Sequence, residues 1–482
     1  MLFNSFIFLL GFLPLTLLAY FAAARMSPRA ALGVLCIASL VFYGWWDARY
    51  LVLIAASISL NYAAGRALLR GIGAGRRQRW LLGAAIAANL LLLAVYKYAD
   101  FFITTASQLA QEPLPLLQLA LPLGISFFTF TQIAFLVDAS KGKVDSLSPV
   151  NYALFVTFFP HLIAGPILHH REMMPQFDGP QAARFDASNF ALGLFLLAIG
   201  LVKKLLIADQ FAPLAASGFD GWQNLDTPAA WLTSLAYTIQ LYFDFSGYTD
   251  MALGLAWMFN IRLPQNFDSP YRATSIQDFW RRWHMTLSRF LRDYLYIPLG
   301  GGRGGRLATL RNLFITFLLG GLWHGAGWTF IVWGALHGVA LVMHRLWSWS
   351  GRRMATLPAW LLTFIFINFT WVYFRASSLA QANAIVSAML GLRDGPATLG
   401  VTQLARQAAE RGQGLFGTSS GPVALVLAVT GAVLVGAWLG PNSIALASRF
   451  KPRIALGIVS GIGLATAILV MQRPTEFLYF NF

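Results

Sequence analysis

Long apolar runs recur from one end of the chain to the other, separated by short polar or basic connections. The first covers about residues 6–24, the second 31–46, the third 51–69, the fourth 80–98 and the fifth 116–137. A transmembrane helix needs about 20 apolar residues, and these runs come close to that length. They are continuous and not alternating, which argues against a β-barrel. The middle of the chain is less regular. Residues 151–168 contain Pro160-His161 and Gly165-Pro166. Proline removes a backbone donor and interrupts a helix, and broken helices are tolerated where they are buried or line a cavity, so a re-entrant segment is expected here. His169-His170-Arg171-Glu172 then reads as a surface. Residues 189–207 are apolar but hold Lys203-Lys204, which places that pair at a cytoplasmic interface. Residues 231–245 form the next run; Ser246-Gly-Tyr-Thr-Asp250 ends it, and a shorter run, 251–261, follows.

Residues 275–299 have another pattern. Phe279, Trp280, Trp283, Leu287, Phe290, Leu291, Leu295 and Ile297 recur at near-helical spacing, with Arg281, Arg282, Arg289 and Arg292 between them. This predicts an amphipathic helix at the interface, capped by Ser275 with Asp278 three residues on. Runs at 313–328, 330–342, 360–374, 423–439 and 454–470 complete the chain, with a long polar connection at 375–420. The sum is an all-α polytopic membrane protein with roughly eleven to thirteen membrane segments, re-entrant and interfacial helices included. It reads as one integral-membrane domain: N-terminal helices at 1–150, a core at 151–350, and C-terminal helices at 351–482. No internal repeat is apparent, so an inverted-repeat transporter finds no support.

Composition agrees: 57% of the 482 residues are hydrophobic and 11% charged, against about 25% charged in a soluble domain. The net charge of +16 points to cytoplasmic loops, not to nucleic acid. Basic clusters follow runs one, three and five and recur at 300–306, 345–353 and 449–453. The positive-inside rule then sets both termini outside. Residues 1–24 lack a basic leader and read as a retained first helix. Cys36 is the one cysteine, so no intramolecular disulfide forms.

The chemistry concentrates on histidine. His324 lies in Leu318-Leu-Gly-Gly-Leu-Trp-His-Gly-Ala-Gly-Trp-Thr-Phe330, an apolar glycine-rich stretch. An ionisable group at membrane depth is expensive and marks function by default; the other reading is a packing seam around a satisfied histidine. A buried neutral imidazole suits proton transfer. No serine or cysteine nucleophile accompanies it in sequence, so the hydroxyl would come from the substrate. The chain has seven histidines, without the acidic companions a metal site needs, and no metal is expected. His284 is the second candidate, with an interfacial, headgroup-facing histidine as the alternative. Asp244 sits within an apolar run and must pair or protonate. Either an ion pair with an arginine or a catalytic role accounts for it. Asn266-Phe-Asp-Ser-Pro-Tyr271 looks like a turn and helix entry.

Trp280-Arg-Arg-Trp-His284, with Leu-Ser-Arg-Phe-Leu-Arg-Asp-Tyr-Leu-Tyr-Ile-Pro-Leu-Gly-Gly after it, resembles the signature of the membrane-bound O-acyltransferases, and so does Gly320-Gly-Leu-Trp-His-Gly325. The branch resembled is the bacterial alginate O-acetylase type. Leu121-Pro-Leu-Gly-Ile-Ser-Phe-Phe128, Phe159-Pro-His-Leu-Ile-Ala-Gly-Pro166, Tyr242-Phe-Asp-Phe-Ser-Gly-Tyr-Thr-Asp-Met-Ala252 and Trp371-Val-Tyr-Phe-Arg-Ala376 extend the likeness nearly end to end. The resemblance implies a multi-helix fold with a funnel through the membrane, His324 as the catalytic histidine and His284 as a second functional one. Trp323, Trp283 and Asp244 would support them. It implies acyl transfer from a cytoplasmic thioester, acetyl-coenzyme A or another, to an extracytoplasmic hydroxyl, often through a partner protein that completes transfer to a polysaccharide. No bound cofactor is implied. Arg281, Arg282 and Arg289, with Arg303 and Arg306, would attract the donor's phosphates, with positive-inside anchoring as the alternative for each. The expectation is therefore an O-acetyltransferase of the bacterial inner membrane, acting on an exported polysaccharide of alginate, cellulose or peptidoglycan type. The alternatives are D-alanyl or other acyl transfer to a cell-wall polymer from a carrier protein, a polysaccharide or lipid transporter, and a scaffold in an export complex.

Overall fold

The structure is a computed structural model that describes residues 1–144, 147–179, 184–392, 398–411, 423–471, 475, 477 and 478. Among the described residues the secondary structure is helical, apart from one isolated bridge between Leu225 and Leu399. Six helices among the described residues are long and apolar enough to cross a membrane: Ile7–Ala24, Arg49–Arg70, Arg76–Ala110, Ala187–Asp220, Trp328–Trp349 and Thr356–Arg375. Shorter apolar helices include Pro28–Gly44, Ile125–Ser140, Leu379–Met389, Val423–Leu439 and Ile454–Val470. Their outer faces are apolar: Leu15, Leu18, Val52 and Leu60 are each at least 67% exposed. Such faces are stable against lipid, where backbone groups must be satisfied within the helix.

The chain forms two units. The first comprises Met1–Ile199, Tyr248–Gln265 and Phe450–Phe482; the second comprises Gly200–Gly247 and Asn266–Arg449. In the first unit, helices join through apolar packing and a few buried polar pairs. Asn61 and Asn89 exchange amide hydrogen bonds at 3.1 and 2.7 Å, tying Arg49–Arg70 to Arg76–Leu93. Phe3, Phe8, Phe42 and Phe159 form an aromatic cluster. The predicted break at 151–168 is present: Pro149–Thr157 ends at Phe158 and a single turn, Phe159–Leu162, follows. The expected surface at His169–Glu172 holds for Arg171, which is exposed, and is corrected at His170. His170 is buried, with Nε2 3.0 Å from the Lys143 carbonyl and Nδ1 3.4 Å from Asp138.

The second unit holds both histidine motifs. Gly305–His324 and Trp328–Trp349 form a helical hairpin joined at Gly325-Ala-Gly327. Its helices touch where two glycines meet. A Cβ on Gly334 would lie 2.6 Å from the Phe317 carbonyl oxygen and 2.9 Å from the Gly321 Cα. Small residues allow such close approach of backbones. Gly334→Ala is expected to cost about 1–3 kcal/mol by overpacking. Gly327→Ala, where the nearest atom to a new Cβ is 3.6 Å away, is expected to be tolerated. Thermal unfolding of the two variants in detergent checks this, with only Gly334→Ala melting early.

Three expectations change here. Residues 231–245 and 251–258 belong to one helix, Thr227–Met258, because its polar positions are enclosed by protein. The connection at 375–420, expected to be polar, holds two helices with buried apolar positions in its described part. Ser378 caps Leu379–Met389, whose Ala382, Ile385 and Met389 are buried, and Val401–Arg411 is also helical. The continuous helix expected at 275–299 is broken into Ile276–Arg282, Met285–Leu291 and a π-helical turn at Arg292–Tyr296. The cap at Ser275 is as expected, its hydroxyl accepting from the Asp278 N–H at 3.1 Å. The 476–482 tail, apart from Phe477 and Leu478, lies outside the described residues.

Candidate active site

His324 is the last residue of Gly305–His324 and is 2% exposed. Its ring is enclosed by aromatic rings, with centroids 4.9 Å from Trp323, 5.0 Å from Trp333 and 5.2 Å from Phe374. The hairpin turn brings Trp333 over it, and the Thr356–Arg375 helix supplies Phe374. Behind this wall Trp333 stacks on Trp371, which packs on Trp283 at 4.9 Å. Aromatic walls of this kind keep water away and raise the strength of any charge interaction within.

His284 stands at the break between Ile276–Arg282 and Met285–Leu291 and is fully buried. Its ring lies edge-on to Phe245 at 4.9 Å and 6.4 Å from Trp323. Trp323 therefore borders both histidines. The headgroup-facing alternative for His284 does not hold: the apolar positions of the amphipathic pattern fold inward and carry the histidine with them. Burial pushes its pKa down to about 3, so the imidazole is neutral at pH 7.

A third histidine joins this region. His337 is fully buried in Trp328–Trp349, 4.6 Å from Trp333. The Trp280 indole N–H donates to its Nδ1 at 3.2 Å, and its Nε2 lies 3.2 Å from the Thr370 hydroxyl. An indole N–H only donates, so Nδ1 accepts and Nε2–H donates. In the sequence His337 is one of seven histidines without acidic companions, and its four-residue helical spacing from Trp333 is the signal that links it to this wall.

The other candidates fall into place differently. Asp244 is buried and bonded to Lys204 Nζ at 2.7 Å, with Asp209 on the same ammonium at 2.9 Å. The ion-pair reading of Asp244 is right in kind, but its partner is Lys204 and not an arginine. Lys204 is 2% exposed, which corrects its placement at an interface: the lysine is drawn inside by two carboxylates. Trp283 packs within the aromatic wall. Arg281 is exposed, Arg282 is paired with Asp278 at 2.9 Å, and Arg289 is half-buried. The described residues hold no cluster of three or more metal-ligating side chains.

Helices of membrane length make this a polytopic membrane protein, and its second unit encloses His284, His324 and His337. The family model of the membrane-bound O-acyltransferases matches residues 87–382, and the chain belongs to that family. It is an O-acyltransferase. It is 47% identical to a peptidoglycan O-acetyltransferase of Helicobacter pylori over 81% of this chain and 80% of the relative. It is 42% identical to a probable alginate O-acetylase of Pseudomonas aeruginosa over 81% of this chain and 75% of that protein. A teichoic acid D-alanyltransferase of Bacillus subtilis is 28% identical over 52% of this chain and 68% of its own length.

Proposed function

We propose that the protein transfers acetyl groups from a cytoplasmic acyl thioester, acetyl-coenzyme A, to hydroxyls of a cell-wall or exported polysaccharide beyond the membrane, with His324 as the general base. The observation that carries this is the position of His324: the buried end of a helix, turned in among Trp323, Trp333 and Phe374. The carbonyl end of a helix stabilises positive charge, which suits a ring that must become an imidazolium briefly. In the reaction a hydroxyl attacks the thioester carbonyl while its proton passes to His324. The C–S bond breaks as the C–O bond forms, and the imidazolium returns the proton to the departing thiolate. Arg281, exposed and not paired with a described carboxylate, is the first candidate for the donor's phosphates, with Arg282 and Arg289 beside it. The basic clusters orient the chain in the inner membrane with both termini extracytoplasmic. A periplasmic partner passes the acetyl group onward where the acceptor is a long polymer.

The test is the O-acetyl content of peptidoglycan and exported polysaccharide from cells lacking the chain and cells re-expressing it. Washed membranes receive either labelled acetyl-coenzyme A or a labelled D-alanyl carrier protein. Restored O-acetylation, with alkali-labile label from acetyl-coenzyme A alone, is expected. Label from the D-alanyl carrier alone would replace acetyl transfer with the D-alanyl reading.

A further inference from the structure

We infer that Asn266 is the positioning residue of His284, fixing the ring with its proton on Nδ1 and presenting Nε2 as the accepting atom. Both residues are fully buried. The Asn266 side-chain oxygen receives the Thr286 backbone N–H at 3.3 Å and the Thr286 hydroxyl at 2.6 Å. A backbone N–H only donates, so the amide atom facing it is the oxygen and not the NH2 group. His284 Nδ1 lies 3.2 Å from that same oxygen. Two acceptors do not bond, so Nδ1 bears the hydrogen. A neutral imidazole carries one ring hydrogen, and Nε2 is left with the lone pair. The neutral state follows from complete burial.

The backbone supports the same assignment. His284 has φ 44° and ψ 54°, a left-handed conformation rare for residues with a Cβ and concentrated at functional sites. The stretch after residue 265 holds that turn from both sides: Met285 N–H donates to the Asn266 carbonyl at 3.0 Å, and Asp268 N–H to the Arg282 carbonyl at 2.9 Å. One asparagine thus secures both the backbone turn that aims His284 and the tautomer that the ring presents. The segment read from sequence as a turn and helix entry is part of the histidine's support.

The importance of this for turnover rests on the acyltransferase reading above; the tautomer does not. The experiment therefore has two readouts. The first is the 15N spectrum of histidine-labelled protein in lipid, with the His284 signals identified by their loss in His284→Gln. Wild type is expected to show Nδ1 protonated and Nε2 bare, and Asn266→Ala to lose the single tautomer. Asn266→Asp keeps an accepting oxygen, so it keeps the tautomer, and its carboxylate moves protonation of the ring to higher pH. The second readout is polymer O-acetylation: Asn266→Ala is expected to fall roughly 10–100-fold, as when a hydrogen-bonded support of a working histidine is lost, with Asn266→Asp partly active. Nε2–H in wild type, an unchanged tautomer in Asn266→Ala, or an unchanged ring titration in Asn266→Asp overturns the inference. If Asn266→Ala does not accumulate, Asn266→Asp decides by the same titration. If O-acetylation persists in His284→Gln and in His324→Ala, the catalytic role proposed for the histidines fails, while the tautomer result stands on its own.

Discussion

Lys204→Ala is expected to prevent accumulation of folded protein in the membrane. The Lys204 ammonium lies 2.7 Å from Asp244 and 2.9 Å from Asp209, and the side chains of Lys204 and Asp244 are each 2% exposed. Removing one partner of a buried pair leaves the other charge uncompensated, at a cost of about 3–5 kcal/mol. That is a large share of the about 5–15 kcal/mol by which folded domains are stable. Lys204→Met combined with Asp244→Leu removes both buried charges and keeps apolar volume, so the double variant is expected to recover most of the loss. Asp209, 16% exposed on its side chain, keeps some access to water. Membrane accumulation of Lys204→Met, Asp244→Leu and the double variant, with thermal unfolding in detergent of those that accumulate, gives the coupling. A Lys204→Ala protein that accumulates and melts like wild type would show that the pair contributes little.

Much of the fold is legible in the hydropathy, because a helix facing lipid must be apolar on that face. The failures share one physical cause: hydropathy assumes that polar residues sit outside. Ser246-Gly-Tyr-Thr-Asp250 looked like the end of a run, yet it lies inside Thr227–Met258, where protein and not lipid surrounds the helix. Lys204 looked like an interfacial anchor for the same reason, and its partner Asp244 lies 40 positions away. The amphipathic spacing at 275–299 named the right buried residues, such as Phe279, Trp280 and Leu287. It could not show the left-handed backbone at His284, which Asn266 imposes from 18 positions upstream. The Trp-His motifs pointed to His284 and His324, since buried ionisable residues are rare enough to attract notice. Trp333, Phe374 and Thr370 carried no such signal, because aromatic and threonine residues are common in membrane helices. Only the hairpin and the Thr356–Arg375 helix bring them to the histidines.

His324→Ala is expected to abolish polymer O-acetylation while leaving the protein in the membrane. Alanine fits the space, and the surrounding Trp323, Trp333 and Phe374 rings keep their mutual packing, so the fold should tolerate the change better than the Lys204 variant does. The chemistry should not tolerate it. Loss of a positioned general base costs typically about 10²–10⁴-fold in rate, below detection in an assay of polymer acetyl content. His324→Gln sharpens the test: glutamine keeps hydrogen-bonding capacity but cannot accept a proton near neutral pH. The decisive measurement is acetyl released by mild alkali from the polymer of cells expressing wild type, His324→Ala or His324→Gln, at membrane levels matched by immunoblot. Loss of acetyl in both variants at normal protein levels is the predicted result. Wild-type acetylation in either one would make His324 a packing residue and contradict its role as the base.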